Sequence, residues 1–105
     1  MDQQTSPKTI AIISYITIIG WIIALVLNNR DRSSLGNFHI RQALGIHLMF
    51  LVARMIPFVA GGAISTFLFF ATLILFIIGI LDAVGEKEKP LPFVGEKFQE
   101  WFKTV

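Results

Sequence analysis

The sequence predicts an all-α integral membrane protein with three transmembrane helices and a C-terminal amphipathic helix at the membrane interface. Two observations predict this class. The 105 residues are 54% hydrophobic and 15% charged, with a mean hydropathy of +0.70, and a soluble domain this small has too little interior to bury so much apolar surface. The apolar residues also fall into three runs, each near the roughly 20 residues that cross a bilayer as a helix. We therefore expect one membrane domain over residues 1–105, with the lipid bilayer as its first partner.

The first apolar run, about residues 9–28, contains TIAIISYITIIGWIIALVL. As one helix these letters would extend about 28 Å, close to a hydrocarbon core of about 30 Å. A secretory signal peptide is the alternative, but the run is long, contains Trp21 and lacks a small-x-small cleavage motif. Gly20 and Ala24 form a small-xxx-small pair of the kind that lets membrane helices approach closely. We expect a first transmembrane helix here.

The second run, about 38–60, and the third, about 63–84, are separated by Gly61 and Gly62. So short a connection predicts that these two helices form a tight antiparallel hairpin. Pro57 is expected to bend or end the second helix, because proline lacks the amide that continues the hydrogen-bond ladder. Three polar residues before the second run are candidate N-caps: Ser33, Ser34 and Asn37.

The tail contains a candidate amphipathic helix at about residues 94–104. At 100° per residue its apolar side chains fall on one face, opposite lysines and glutamates. Aromatic rings opposite charges suit the headgroup layer of a membrane, and the predicted membrane-interface residues are Phe98, Trp101 and Phe102. A helix packed on a partner protein is the alternative interpretation.

Positive charge predicts the orientation. With three crossings, the first loop and the C-terminal tail share one side, and this side carries most of the cations: Arg30, Arg32, Arg41, Lys87, Lys89, Lys97 and Lys103. The positive-inside rule then places the C-terminus in the cytoplasm and the N-terminus, with Lys8, outside. The expected location is the bacterial cytoplasmic (inner) membrane.

Polar side chains inside a span usually face other helices or water. Helical spacing places four of them on one stripe of the second helix, predicted to face the bundle: His39, Gln42, His47 and Arg54. Arg41 lies on the opposite side. Asp82, near the end of the third run, matches His39 and Arg41 in depth, so an ion pair with either is geometrically reasonable. Arg54 lies about 20 Å from His39 along the helix axis and has no acidic partner among the predicted spans.

Two interpretations of this stripe stay open: interhelical packing through hydrogen bonds, and a pathway or substrate-binding surface. A metal site is not expected, because His39 and His47 do not have the i, i+4 spacing of a metal-binding helix. The sequence has no cysteine, which excludes thiolate chemistry, and it has no nucleophile–base pair or phosphate loop. We therefore expect no enzyme and no cofactor. The scattered net charge of +2 does not indicate nucleic-acid binding.

Two stretches carry a resemblance to a known family. One is SYITIIGWIIALVLN followed by SLGNFHIRQALGIHL, and the other is GILDAVGEKEKPLPFVGEKF. They resemble a family of small bacterial membrane proteins of uncharacterised function that is distantly similar to the Tic-twenty import component of the chloroplast inner envelope. The resemblance implies a helical membrane protein associated with protein translocation. It also implies four signature residues: Phe38, His39, Arg41 and Gln42.

The sequence thus favours a non-enzymatic small inner-membrane protein. The first hypothesis is a subunit or accessory of a membrane assembly, linked by the resemblance to protein translocation, with other membrane subunits or further copies of itself as partners. The alternative is a small transporter or channel, formed by an oligomer and lined by the polar residues of the second helix.

Overall fold

The computed structural model describes residues 6–30, 32–55 and 62–105, and these ranges contain five helices and no strand. The helices are α1 Pro7–Ile16, α2 Ile18–Asn28, α3 Ser34–Met55, α4 Gly62–Val84 and α5 Gly95–Trp101. The Ser33 hydroxyl accepts the amide of Gly36 at 2.9 Å, so one of the candidate caps does close the start of α3. The connection expected at Pro57 and Gly61 lies outside the described residues.

The first apolar run is not one helix. Thr17 has an extended backbone (φ −154°, ψ 175°) that ends α1, and its hydroxyl accepts the amide of Gly20 at 3.0 Å, which caps α2. A threonine hydroxyl can offer the backbone this alternative to a continuous ladder. The expectation of a single helix over about 9–28 is therefore wrong, because a local cap outweighs the uniform apolar composition.

The helices α1 and α2 fold back on each other as an antiparallel hairpin. Ser14 of α1 and Trp21 of α2 reach consecutive carbonyls of α3. Ser14 Oγ lies 3.4 Å from the oxygen of His39, and Trp21 Nε1 donates to the oxygen of Ile40 at 2.8 Å. In one straight helix residues 14 and 21 would lie about 10 Å apart along the axis, so only a fold-back brings both to one level of α3.

Small residues allow this close fold-back. A Cβ placed on Gly20 would lie 2.6 Å from the carbonyl oxygen of Ile13. Ala24 is fully buried and belongs to one apolar cluster with Ile10 and Ile40. The predicted small-xxx-small pair therefore does mark a close helix contact, although the contact joins two halves of the same run.

The long helices α3 and α4 are antiparallel, and α1 packs along both. The ring of Tyr15 lies against Gly79 of α4, where an added Cβ would approach it to 2.8 Å. Ala11 shares a core cluster with Ala83 near the end of α4. Since α1 runs toward Thr17 as α4 runs away from it, the start of α1 lies at the same end of the bundle as the end of α4.

This arrangement changes the expected topology. Among the described residues one helix, α4, is long and apolar enough to cross a membrane, whereas α2 is apolar but has only 11 residues. The predicted orientation put the N-terminus and the C-terminus on opposite sides of the membrane. That prediction required the first run to cross the membrane as one straight helix. The hairpin instead returns the chain to the end at which it started, so α1 begins beside the segment that follows α4.

The helix α5 packs on α3. The ring of Phe98 is buried where Gly45 leaves room for it, and Gln99 Nε2 donates to the oxygen of Phe38 at 2.7 Å. Trp101 is 65% exposed, and Phe102 is half-buried. The expectation that Phe98 faces the headgroup layer is therefore wrong, because glycine on α3 opens a slot that the ring fills.

Candidate functional site

The candidate site is a buried series of hydrogen-bonded side chains between α1, α3 and the segment that follows α4. Its side chains are Tyr15, His39 and Gln42, and each is 0% exposed. A polar group buried away from water is costly unless it is hydrogen-bonded. The partners of these three side chains therefore decide whether the site is a free reactive surface or a structural element.

The His39 ring has a defined direction of hydrogen bonding. Its Nε2 lies 2.7 Å from the carbonyl oxygen of Lys87, and a carbonyl can only accept, so Nε2 carries the proton. In an imidazole with this one proton, Nδ1 accepts. The Tyr15 hydroxyl lies 2.6 Å from Nδ1 and donates to it.

Gln42 continues the chain of bonds and closes it. Its Nε2 donates to the Tyr15 hydroxyl oxygen at 2.9 Å, and its Oε1 accepts the backbone amide of Leu91 at 3.0 Å. The series thus begins at the carbonyl of Lys87 and ends at the amide of Leu91, four residues further along the same segment. We call the three side chains and these two backbone groups the polar clamp.

The local sequence explains why the segment can be held in this way. Glu86 has a positive φ of 57°, and the amide of Lys87 returns to the carbonyl of Asp82 at 2.8 Å, which ends α4 and reverses the chain. Pro90 and Pro92 have no amide to donate. The amide of Leu91 between them is therefore an isolated buried donor, and Gln42 supplies its acceptor.

Each of the four residues that the resemblance singles out makes a hydrogen bond to the C-terminal part of the chain. His39 and Gln42 belong to the polar clamp. The carbonyl of Phe38 accepts from Gln99, and Arg41 Nη2 donates to the carbonyl of Lys103 at 2.8 Å. The two stretches that carry the resemblance, which about 30 residues separate in the sequence, therefore meet in space.

The predicted stripe on the second helix does not stay buried along its length. His47 is half-buried, and its Nε2 donates to the carbonyl of Ser14 at 3.0 Å, near the end of α1. Arg54 is exposed and lies beside Ile18. The expectation that Arg54 faces the other helices is wrong. The α1–α2 hairpin turns back at Thr17, so it does not cover Arg54 near the C-terminal end of α3.

The ion pair considered for Asp82 does not form. Over residues 6–30, 32–55 and 62–105, the polar contacts of His39 and Arg41 are with backbone carbonyls and with Tyr15, and none is with the Asp82 carboxylate. The backbone carbonyl of Asp82 does contribute, through the turn that holds Lys87. In the same ranges, no three His, Asp or Glu side chains are close enough to hold a metal ion.

Sequence reasoning missed Tyr15, which links the histidine to the glutamine. A signal for it exists: Tyr15 is the only tyrosine of the chain and lies in an apolar run next to Ser14. A buried tyrosine hydroxyl needs a partner, and the polar residues of the second run were the available ones. The backbone groups of Lys87 and Leu91 have no sequence signal, because any residue carries them.

No curated protein and no solved structure matches the chain. A family model described as the Magnetosome magnetite crystal formation protein family (MamF/MmsF) matches residues 6–98, a range that includes both stretches joined by the polar clamp. The chain therefore belongs to this family of small bacterial membrane proteins.

Proposed function

We propose that the chain is a non-enzymatic subunit of an assembly in the magnetosome membrane, where it serves the magnetite crystal formation that its family is named for. The observation that carries the proposal is the polar clamp. It uses three buried side chains, Tyr15, His39 and Gln42, to hold the segment after α4 in place. The outer surface of the bundle is apolar.

The outer surface supports embedding in a membrane. Large apolar side chains are exposed along α2, along the second half of α3 and along all of α4. A contiguous apolar surface of this kind marks contact with lipid or protein. Representative members, each exposed by 47% or more, are Ile19, Ile22, Val52, Phe67, Ile74 and Leu81.

The distribution of cations supports one orientation in that membrane. Arg54 stands alone toward the far end of α3. Arg41 lies in the first half of α3, and the other lysines and arginines lie near the start of α1, at the α2–α3 connection, in the clamped segment, and in or just after α5. The positive-inside rule then favours a cytoplasmic location for this end. With the α1–α2 hairpin, both the start of α1 and α5 lie on that side, so the proposed orientation has a cytoplasmic N-terminus.

The clamp also supports a non-enzymatic role. A general acid or base must reach the proton that it transfers. Tyr15, His39 and Gln42 are instead fully buried, and each is bonded within the clamp. Their arrangement is that of a structural network whose members satisfy one another.

The cytoplasmic end offers a surface for partner subunits. Phe93 follows the clamped segment, is 101% exposed and has a positive φ of 70°. A large ring held outward in a costly backbone conformation is typical of a contact residue. The further link to protein translocation stays a prediction that rests on the Tic-twenty resemblance.

The orientation can be tested with single cysteines, since the chain has none of its own. We would introduce Ser6→Cys, Gly62→Cys or Thr104→Cys, express each variant in a bacterium that forms no magnetosomes, so that the protein inserts in the cytoplasmic membrane, and label intact spheroplasts with a membrane-impermeant maleimide. We expect Gly62→Cys to react before lysis, and Ser6→Cys and Thr104→Cys to react only after it. Labelling of Ser6→Cys in intact spheroplasts would restore the three-crossing topology.

The role can be tested in a magnetosome-forming bacterium that encodes this protein. Deletion of its gene should change the size of the magnetite crystals measured by electron microscopy, and the tagged protein should fractionate with magnetosome membranes and crosslink to other subunits. Unchanged crystals, together with a protein that yields no crosslinked partner, would reject the proposal.

The transport alternative has one supporting feature. His47 and Arg54 line a cavity of about 320 Å³ with Ile18, at the turn of the α1–α2 hairpin. The other two residues of the predicted lining, His39 and Gln42, are enclosed in the clamp. Liposome flux with the intact protein and with His47→Leu would decide the matter, and an ion flux abolished by the substitution would favour transport.

A further inference from the structure

An apolar groove lies where α5 rests on the long helices. Its volume is about 310 Å³, which is within the range of about 300–1,000 Å³ for small-molecule sites. The groove is bounded on three sides: by Gly45, Leu48 and Val52 of α3, by Leu68 of α4, and by Trp101 and Phe102 at the end of α5.

The groove exists because of two features of the sequence. Gly45 lets the Phe98 ring approach the α3 backbone, which brings α5 against the bundle at one level. After Phe98 the chain returns toward the start of α3, where Lys103 and Val105 meet Arg41 and Arg32. The side chains of Trp101 and Phe102 line the groove, which α3 and α4 continue past. The cleft between the three helices therefore opens toward the apolar surface that we assign to lipid.

The groove lining is uncharged, and Arg41 lies just outside it. Arg41 lies four residues before Gly45, on the same face of α3. Its Nη2 donates to the carbonyl of Lys103, and its Nε is buried without a hydrogen-bond partner among the described residues. No carboxylate contacts this guanidinium within residues 6–30, 32–55 and 62–105. Lys103, whose carbonyl accepts the bond from Arg41, has an exposed side chain. Lys97 of α5 is exposed as well, but so are Glu96 and Glu100, which leaves Arg41 as the relevant cation.

We infer that this groove binds an anionic phospholipid, with one acyl chain between Val52 and Trp101 and the phosphate at Arg41. The apolar lining suits an acyl chain and disfavours a polar ligand. The guanidinium donors of Arg41 that are neither bonded to Lys103 nor buried have no carboxylate partner among the described residues, and such donors suit the oxygens of a phosphate. Basic pockets beside membrane helices bind lipid headgroups for this reason.

Native mass spectrometry of the full chain in mixed detergent–lipid micelles tests the inference. The probes are a phosphatidylglycerol and a phosphatidylcholine with identical acyl chains. We expect one phosphatidylglycerol to be retained at least about tenfold more than phosphatidylcholine, which corresponds to about 1.4 kcal/mol. Arg41→Gln should bring the two lipids to similar retention.

A matched pair of substitutions tests the location. Val52→Trp fills the groove, whereas Leu51→Trp adds the same ring at the neighbouring position, which lines the cavity beside Ile18 instead. The two native side chains are similarly exposed, 50% for Val52 and 53% for Leu51. We expect Val52→Trp to lose the retained lipid and Leu51→Trp to keep it. Circular dichroism would verify that both variants fold.

A second measurement uses the tryptophan fluorescence of the native chain. Phosphatidylglycerol with brominated acyl chains should quench the tryptophan fluorescence of the native chain more than brominated phosphatidylcholine does at equal mole fraction. Trp101→Phe should remove the difference and leave only the signal of Trp21. Equal retention and equal quenching by the two lipids would overturn the inference, as would undiminished retention by a folded Val52→Trp. These outcomes leave the proposed subunit role untouched, because that role is tested by crystal size and crosslinking.

Discussion

Gln42→Met is the most direct perturbation of the polar clamp. Methionine has nearly the same length and volume as glutamine but offers neither the amide donor nor the carbonyl acceptor. The substitution therefore removes two hydrogen bonds without opening a cavity: the donation from Gln42 to Tyr15 at 2.9 Å and the acceptance from the Leu91 amide at 3.0 Å.

The two lost bonds differ in their expected free energies. Leu91 is only 3% exposed, so its amide is left buried and unsatisfied, at a cost of about 1–3 kcal/mol. The Tyr15 hydroxyl still donates to His39, and it loses one ordinary bond of about 0.5–1.5 kcal/mol. We expect the free energy of unfolding to fall by about 2–4 kcal/mol in total.

Reversible unfolding of the protein in detergent micelles, followed by circular dichroism as a denaturing detergent is added, measures this change. Gln99→Met is the matched control, because the carbonyl of Phe38 that loses the Gln99 bond can keep its bond within α3. The control should cost less than about 1.5 kcal/mol. Hydrogen exchange gives a local measurement: exchange of the Leu91 amide should accelerate about 5- to 150-fold in Gln42→Met.

Two results would refute the reasoning. One is a free energy of unfolding for Gln42→Met within about 0.5 kcal/mol of the native value, since scatter of that size is usual for surface substitutions. The other is an unchanged exchange rate for the Leu91 amide, which would mean that Gln42 does not hold the segment after α4.

Three further substitutions test the fold. Gly45→Val should displace the Phe98 ring and make the segment before α5 sensitive to protease, and adding Phe98→Ala should restore resistance; a protease-resistant single variant would contradict the slot. Gly20→Val should cost about 1–3 kcal/mol through overpacking in the same unfolding assay, whereas Gly62→Ala, where nothing lies within 4 Å, should cost less than about 1 kcal/mol. Thr17→Ala should lose about 1 kcal/mol of capping energy and Thr17→Ser should retain most of it; equal stability of the two would show that the cap is not needed.

The sequence alone predicted the helical class, the antiparallel pairing of the second and third runs, and the burial of His39 and Gln42 against the other helices. These predictions rest on local physics: apolar runs of helical length, and polar side chains that cannot face hydrocarbon without a partner. It also indicated the close approach at Gly20 and Ala24, because small side chains on one helix face indicate helix contact wherever the partner helix lies. The ion pair of Asp82 with His39 or Arg41 does not form, because these side chains bond instead to the backbone carbonyls of Lys87 and Lys103. Phe98 is buried rather than exposed, because Gly45 on the distant helix α3 leaves room for its ring.

The tertiary structure decided the rest. A mainly apolar run of 19 residues is compatible with one membrane crossing or with a hairpin. Which of the two forms depends on whether the Thr17 cap and the packing of Gly20 on Ile13 outweigh the hydrogen bonds of a continuous helix. Whether His39 is a reactive group or a structural one depends on the Tyr15 hydroxyl and the Lys87 carbonyl, which come from opposite ends of the chain. Composition and periodicity are properties of neighbouring residues, so they determined that this chain is helical and apolar. The hydrogen-bond partners of its buried polar groups are properties of the packed bundle, and only the packed bundle determined them.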